Sequence, residues 1–133
     1  MNKPLLLLFI LGLTFNACSS QTEKSQDTDD RAAIVTSQVI DQSTWESKIS
    51  ESETPQIIDV RTPEEHSEGH LDNALNIDFY SPEFKSLVSE LDKDRPVFVY
   101  CRSGGRSAKA CDIMEEEGFQ TLFDLKGGYL AWK

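Results

Sequence analysis

The sequence predicts an α/β protein, a parallel sheet covered by helices on both faces. Three observations lead there. The runs Gln56-Ile57-Ile58-Asp59-Val60, Val97-Phe98-Val99-Tyr100 and Thr121-Leu122-Phe123-Asp124-Leu125 have strand length and are rich in β-branched and aromatic residues. They are largely apolar on both sides rather than alternating, the pattern of strands buried on two faces. Segments with helical spacing separate them, and strands alternating with helices build parallel sheets.

The elements follow in order. Val39-Ile40 is a short apolar start. Ser43 is the candidate N-cap of a helix carrying Trp45 and Ile49. Pro55 precedes the first long apolar run, and Thr62-Pro63-Glu64-Glu65 reads as a cap, a proline in the first turn and acids at the positive helix end. That helix stops at Gly69, and Ala74 to Ile77 is another short strand. Ser81-Pro82-Glu83 opens a helix with Phe84, Leu87, Val88 and Leu91 at core spacing. Pro96 precedes the run Val97 to Tyr100, Ser107 to Glu117 is helical with Gly118 as its stop, and Gly127-Gly128 turns into a terminal segment with Tyr129, Leu130 and Trp132.

The chain has 133 residues, enough for one domain. Its net charge of −10 excludes nucleic acid as a partner of the bulk surface. Residues 1–17 read as a signal peptide: Lys3, then the apolar run Leu5 to Leu13, too short to span a bilayer. Residues 18–33 are polar and aperiodic, a flexible tether, and residues 34–133 form the folded domain. Ala17-Cys18 resembles the lipobox of bacterial lipoproteins, with Phe15 where an aliphatic residue is usual. That resemblance implies a lipidated Cys18, export, and membrane anchoring on the periplasmic side of the envelope. Ser19-Ser20, lacking an acid, leans toward the outer membrane. A monomer is the default assembly.

Cys18, Cys101 and Cys111 form neither a disulfide framework nor a zinc-ligand spacing. Cys101 is different in kind. It stands at a strand end and is followed by Arg102-Ser103-Gly104-Gly105-Arg106-Ser107 and a helix. Ligands of α/β sheets bind at the carboxyl ends of strands. Gly104 and Gly105 allow the loop to turn its N–H groups inward as an anion nest, and the next helix adds its positive end. A free thiol is only about 3% thiolate at pH 7, and a depression of about two units would make it mostly thiolate. Arg102 and Arg106 can add charge and grip an oxyanion through forked hydrogen bonds. Asp59 and Arg61 read as a pair bracing this loop, His66 and His70 as turn-packing residues, and Cys111 as a buried hydrophobe.

The loop Cys101 to Ser107 resembles the active-site signature of the rhodanese family. Asp59-Val60-Arg61, Glu64-Glu65-His66 and Gly69 to Ile77 are similar to its upstream signature, and Gly127 to Trp132 to its C-terminal motif. Asn73 stands where glycine is common. The resemblance implies a five-stranded parallel sheet and a sulfurtransferase without metal or organic cofactor. It implies that Cys101 takes a sulfane sulfur from thiosulfate or a related small anionic donor. The resulting persulfide would pass its sulfur to cyanide or a thiol. Arg102, Ser103, Gly104, Gly105 and Arg106 would cradle the sulfur, with Asp59, Arg61 and Ser107 supporting the loop. Two alternatives stand beside this reading: a membrane-anchored sulfur carrier or interaction module with little turnover, and a phosphatase or arsenate-reductase-like enzyme. The latter uses a loop one residue longer between cysteine and arginine, and the shorter loop here favours sulfur.

Overall fold

The computed structural model describes residues 35–132. The expected signal peptide, the tether and Cys18 lie outside those residues. Strands β1 (Thr36–Ile40), β2 (Gln56–Asp59), β3 (Leu75–Asn76), β4 (Val97–Tyr100) and β5 (Thr121–Leu125) form one sheet. Its order is β1-β5-β4-β2-β3, and every neighbouring pair is parallel. The helices are α1 (Gln42–Glu51), α2 (Pro63–Ser67), α3 (Phe84–Ser89), α4 (Gly105–Glu116) and α5 (Gly128–Ala131). The α/β architecture with a five-stranded parallel sheet is as the sequence predicts.

Alternation along the central strand β4 distributes its side chains between two core layers. Val97 and Val99 pack with Phe84 and Val88 of α3 and with Ala110, Cys111 and Met114 of α4. Phe98 and Tyr100 pack with Trp45 of α1 and with Leu125. The Trp45 ring meets Phe98 edge-on at 5.2 Å and Tyr100 at 6.5 Å. All four β4 side chains are fully buried, in keeping with a run that carries no charged residue. Burying side chains of this size contributes roughly 1.5–3 kcal/mol each.

Local details depart from the sequence reading for identifiable reasons. The N-cap of α1 is Asp41, whose carboxylate accepts from the Thr44 N–H at 2.9 Å, while the Ser43 hydroxyl donates to that same carboxylate. Strand β1 reaches back to Thr36, because parallel pairing with β5 satisfies a backbone whose side chains are largely exposed. Leu87 is exposed and the core face of α3 consists of Phe84 and Val88. Helix α4 begins at Gly105 rather than Ser107. The Asn73 backbone is left-handed at φ 62°, which explains a turn position open to asparagine or glycine.

Asp124 is a local conflict inside this frame. It lies opposite Val99 on β5, is 4% exposed, and its Oδ1 has no hydrogen-bond partner. Burial, only partly offset by the Ser107 hydroxyl, pushes its carboxyl up to about 6. The folded protein therefore holds this proton more tightly than the unfolded chain does. Stability falls as pH rises from about 3.8 to about 6, and the penalty is constant above that. Asp124→Asn is expected to raise stability by on the order of 2 kcal/mol at pH 8 and to leave it unchanged at pH 3.5. Urea unfolding at the two pH values checks this.

Candidate active site

The site forms where the chain reverses its direction of travel across the sheet. From β2 the chain moves outward to β3, then returns to place β4 on the other side of β2 and continues to β5. The loops leaving β2 and β4 thus diverge at their carboxyl ends and leave a crevice between them. Arg61 follows β2 there, and Cys101 follows β4.

Cys101 is 1% exposed and its Sγ accepts the Gly104 N–H at 3.0 Å. Burial opposes the thiolate. The opposition is outweighed by hydrogen bonds from the Ser107 hydroxyl and N–H and from the N–H groups of Gly104 and Ser103, which hold the thiol below its ordinary value. Gly104 has φ 110°, the left-handed turn that aims these N–H groups at sulfur. The Ser107 hydroxyl has one proton to give, and turned to the Gly104 carbonyl oxygen at 3.1 Å instead it ties the loop to the first turn of α4. Backbone dipoles, fixed in direction, do here what the sequence reading divided between dipoles and arginines.

Asp59 and Arg61 form the expected pair, and it is larger than a pair. The fully buried Asp59 carboxylate accepts from Arg61 Nε at 2.9 Å and Nη2 at 2.6 Å, and from the Arg61 N–H at 3.0 Å. It also accepts from the Tyr100 hydroxyl at 2.9 Å and lies 2.9 Å from His66 Nδ1. Burial raises the carboxyl, but these donors outweigh it and hold Asp59 below the usual carboxylate range. An ionised carboxylate only accepts, so His66 Nδ1 carries the proton. Arg61 Nη2 donates to the Gly69 carbonyl at 2.7 Å, and the guanidinium lies 4.2 Å from the Tyr129 ring centre. Tyr100 and His66 are therefore members of the brace, and His70 stacks on His66 at 3.8 Å.

Arg106 is held by a residue that the loop motif does not contain. Its Nη1 and Nη2 donate to Glu65 Oε2 at 2.6 Å and Oε1 at 2.8 Å. The same Glu65 closes the capping box of α2, accepting from the Thr62 N–H at 3.1 Å. Arg106 brings the Glu65 carboxyl down to about 2. Arg106 still lines the cleft over Cys101, a space of about 360 Å³ shared with Phe79, Tyr80, Ser103, Gly105 and Lys109. Arg102 lies elsewhere, in a cleft of about 230 Å³ with Arg61, Glu65, Glu68, Gly69, Tyr129 and Leu130. Phe79, Tyr80, Lys109 and the Glu65 carboxylate escaped the sequence reading. Of these only Glu65 belongs to a motif, Glu64-Glu65-His66.

The C-terminal glycines clamp the loop from behind. The Tyr129 N–H donates to the Cys101 carbonyl at 2.8 Å and the Leu130 N–H to that of Arg102 at 3.0 Å. Gly128 has φ 61°, and a Cβ there would stand 2.5 Å from the Cys101 carbonyl oxygen. Gly118 is also left-handed, at φ 91°, but has open space around it. Alanine at either position is expected to lower stability, by on the order of 1–3 kcal/mol. Only Gly128→Ala is expected to lower the reactivity of Cys101 at a temperature where both variants are folded. Thermal unfolding together with the rate of thiol alkylation separates the two effects.

Comparison with known proteins agrees with this arrangement. The profile of the Rhodanese-like domain matches residues 42–133. The sulfurtransferase of Allochromatium vinosum is 34% identical over 93 residues, spanning 70% of this chain and 85% of that protein. The thiosulfate sulfurtransferase GlpE of Shewanella oneidensis is 32% identical over 85 residues, spanning 64% and 82%. Among solved structures, a rhodanese-like domain protein from Staphylococcus aureus superposes with a TM-score of 0.64 at 30% identity, covering 72% of this chain and 91% of that one. A five-stranded parallel sheet, a cysteine in a nest of N–H groups and these relatives lead to one conclusion: the chain belongs to the rhodanese-like domain family.

Proposed function

We propose that the protein is a sulfurtransferase that carries sulfane sulfur on Cys101. The observation that carries this reading is the ring of N–H and hydroxyl donors converging on Cys101 Sγ. Such a ring stabilises a thiolate before reaction and a terminal persulfide anion after it. With thiosulfate as donor, the Cys101 thiolate attacks the outer sulfur, the S–S bond of thiosulfate breaks, and sulfite leaves with the electron pair. Charge is conserved, and no proton has to be removed once the thiol is ionised. A nucleophile then attacks the outer sulfur of the persulfide: cyanide leaves as thiocyanate, a thiolate as a new persulfide. The Cys101 thiolate is regenerated in the same step.

Arg106, Ser103, Gly104 and Gly105 surround the reacting sulfur in this scheme, with Asp59, Arg61 and Ser107 as positioning residues. An envelope setting is part of the proposal. The apolar run Leu5 to Leu13 and the Ala17-Cys18 junction support export and lipidation at Cys18.

Incubation with thiosulfate is expected to add about 32 mass units at Cys101, and cyanide to remove them as thiocyanate. Cys101→Ser should show no gain while keeping the fold. Because the Cys101 thiol is held below its ordinary value, the loading rate should rise with pH and reach its plateau earlier than for an ordinary thiol. Intact mass and stopped loading at a series of pH values check both expectations. A gain that survives in Cys101→Ser would remove this residue from the chemistry.

A further inference from the structure

The arginine of the loop has a partner already. Arg106 gives one N–H of each terminal nitrogen to Glu65, at 2.6 and 2.8 Å, and that carboxylate offsets its charge. Arg61 is buried against Asp59, and Arg102 opens into a different cleft. Lys109 remains. It lies on α4 one turn beyond Gly105, so Gly105, Arg106 and Lys109 share the helix face that borders the cleft over Cys101. It is exposed and, unlike Arg106, makes no ion pair or hydrogen bond among the described residues. Phe79 and Tyr80 form an aromatic wall of the same cleft.

A chain of net charge −10 repels a small dianion at long range, so local positive charge is needed where the donor docks. The positive end of α4 and the N–H nest are directed at sulfur. The leaving sulfite oxygens, one bond further out, need their own partner. A lysine ammonium on a flexible stem suits this, since it can follow the group as it departs.

We propose that Lys109 is a substrate-binding residue that recognises the oxyanion end of the sulfur donor, while Arg106, locked to Glu65, positions the loop. This rests on the sulfur-transfer reading given above. It makes the donor class explicit: a sulfane sulfur joined to a sulfonyl group of one or two negative charges. With an organic thiosulfonate the balance is the same as with thiosulfate. The thiolate takes the outer sulfur, the S–S bond breaks, and a sulfinate leaves with the electron pair.

The test is steady-state thiocyanate formation by the full-length protein carrying Lys109→Gln, Lys109→Glu or Lys109→Arg, with thiosulfate and with methanethiosulfonate as donors. Lys109→Gln is expected to raise the thiosulfate KM about fivefold, the scale of one exposed charge pair, with kcat little changed. Lys109→Glu should raise it further, and Lys109→Arg should restore most of the loss. The singly charged methanethiosulfonate should show a smaller change, and added salt should shrink the difference between wild type and Lys109→Gln. An unchanged thiosulfate KM in Lys109→Gln overturns the proposal. So does a fall in kcat that is equal for both donors and not restored by arginine. If the wild-type protein forms no persulfide with either donor, the sulfur-transfer reading itself falls, and this inference with it.

Discussion

The buried carboxylate of Asp59 is the interaction on which the site depends. Parallel register sets Asp59 beside Tyr100, the residue immediately before Cys101. Through Arg61, His66 and Tyr100 the carboxylate ties the end of β2 to α2, to the Gly69 turn and to the end of β4. A charge this deep would be costly alone, and it is tolerated because every neighbouring group donates to it. Removing one partner would leave the others facing an uncompensated charge. The network therefore fixes where the two loops leave the sheet, and the crevice between them inherits its shape.

The electrostatics of the crevice follow from that fixation. The chain is acidic, yet the sulfur of Cys101 faces N–H groups that cannot reorient. Dipoles held in place stabilise a developing anion without any rearrangement during the reaction. Charged side chains play a second role. The Glu65–Arg106 bridge joins the cap of α2 to the first turn of α4, so two helix N-termini are held at the same site. Asp124 opposes this economy, a carboxyl behind the loop whose ionisation burial penalises.

Much of this was legible in the sequence, for physical reasons. Strands buried on two faces are largely apolar, so β2, β4 and β5 announced themselves. The loop from Cys101 to Ser107 was legible because two adjacent glycines and two arginines after a strand have few other uses. Other features depend on approach in space. Glu65 and Arg106 lie 41 residues apart, and neither residue betrays the other. Tyr100 read as one more strand aromatic, although its hydroxyl serves Asp59 and accepts from the Leu71 N–H. Leu87 and Val88 are both apolar neighbours on α3, and only packing decides that Val88 enters the core. Residue type alone does not place the cap of α1 at Asp41 rather than Ser43, because both aspartate and serine suit the position.

The order of the sheet has a consequence for how the molecule is made. β5 is the last strand along the chain, yet it sits between β1 and β4 in space. During synthesis β1 has no sheet partner until β5 emerges, and the clamp formed by Tyr129 and Leu130 on the Cys101 loop arrives later still. Domains generally fold as units. Here the unit closes only once β5 is present. Cys101 is itself made late, and the N–H groups of Tyr129 and Leu130 that hold its loop follow about 30 residues after it. A fold with this stitching leaves its first strand waiting for its last, and the edge of the sheet and the reactive loop are finished together.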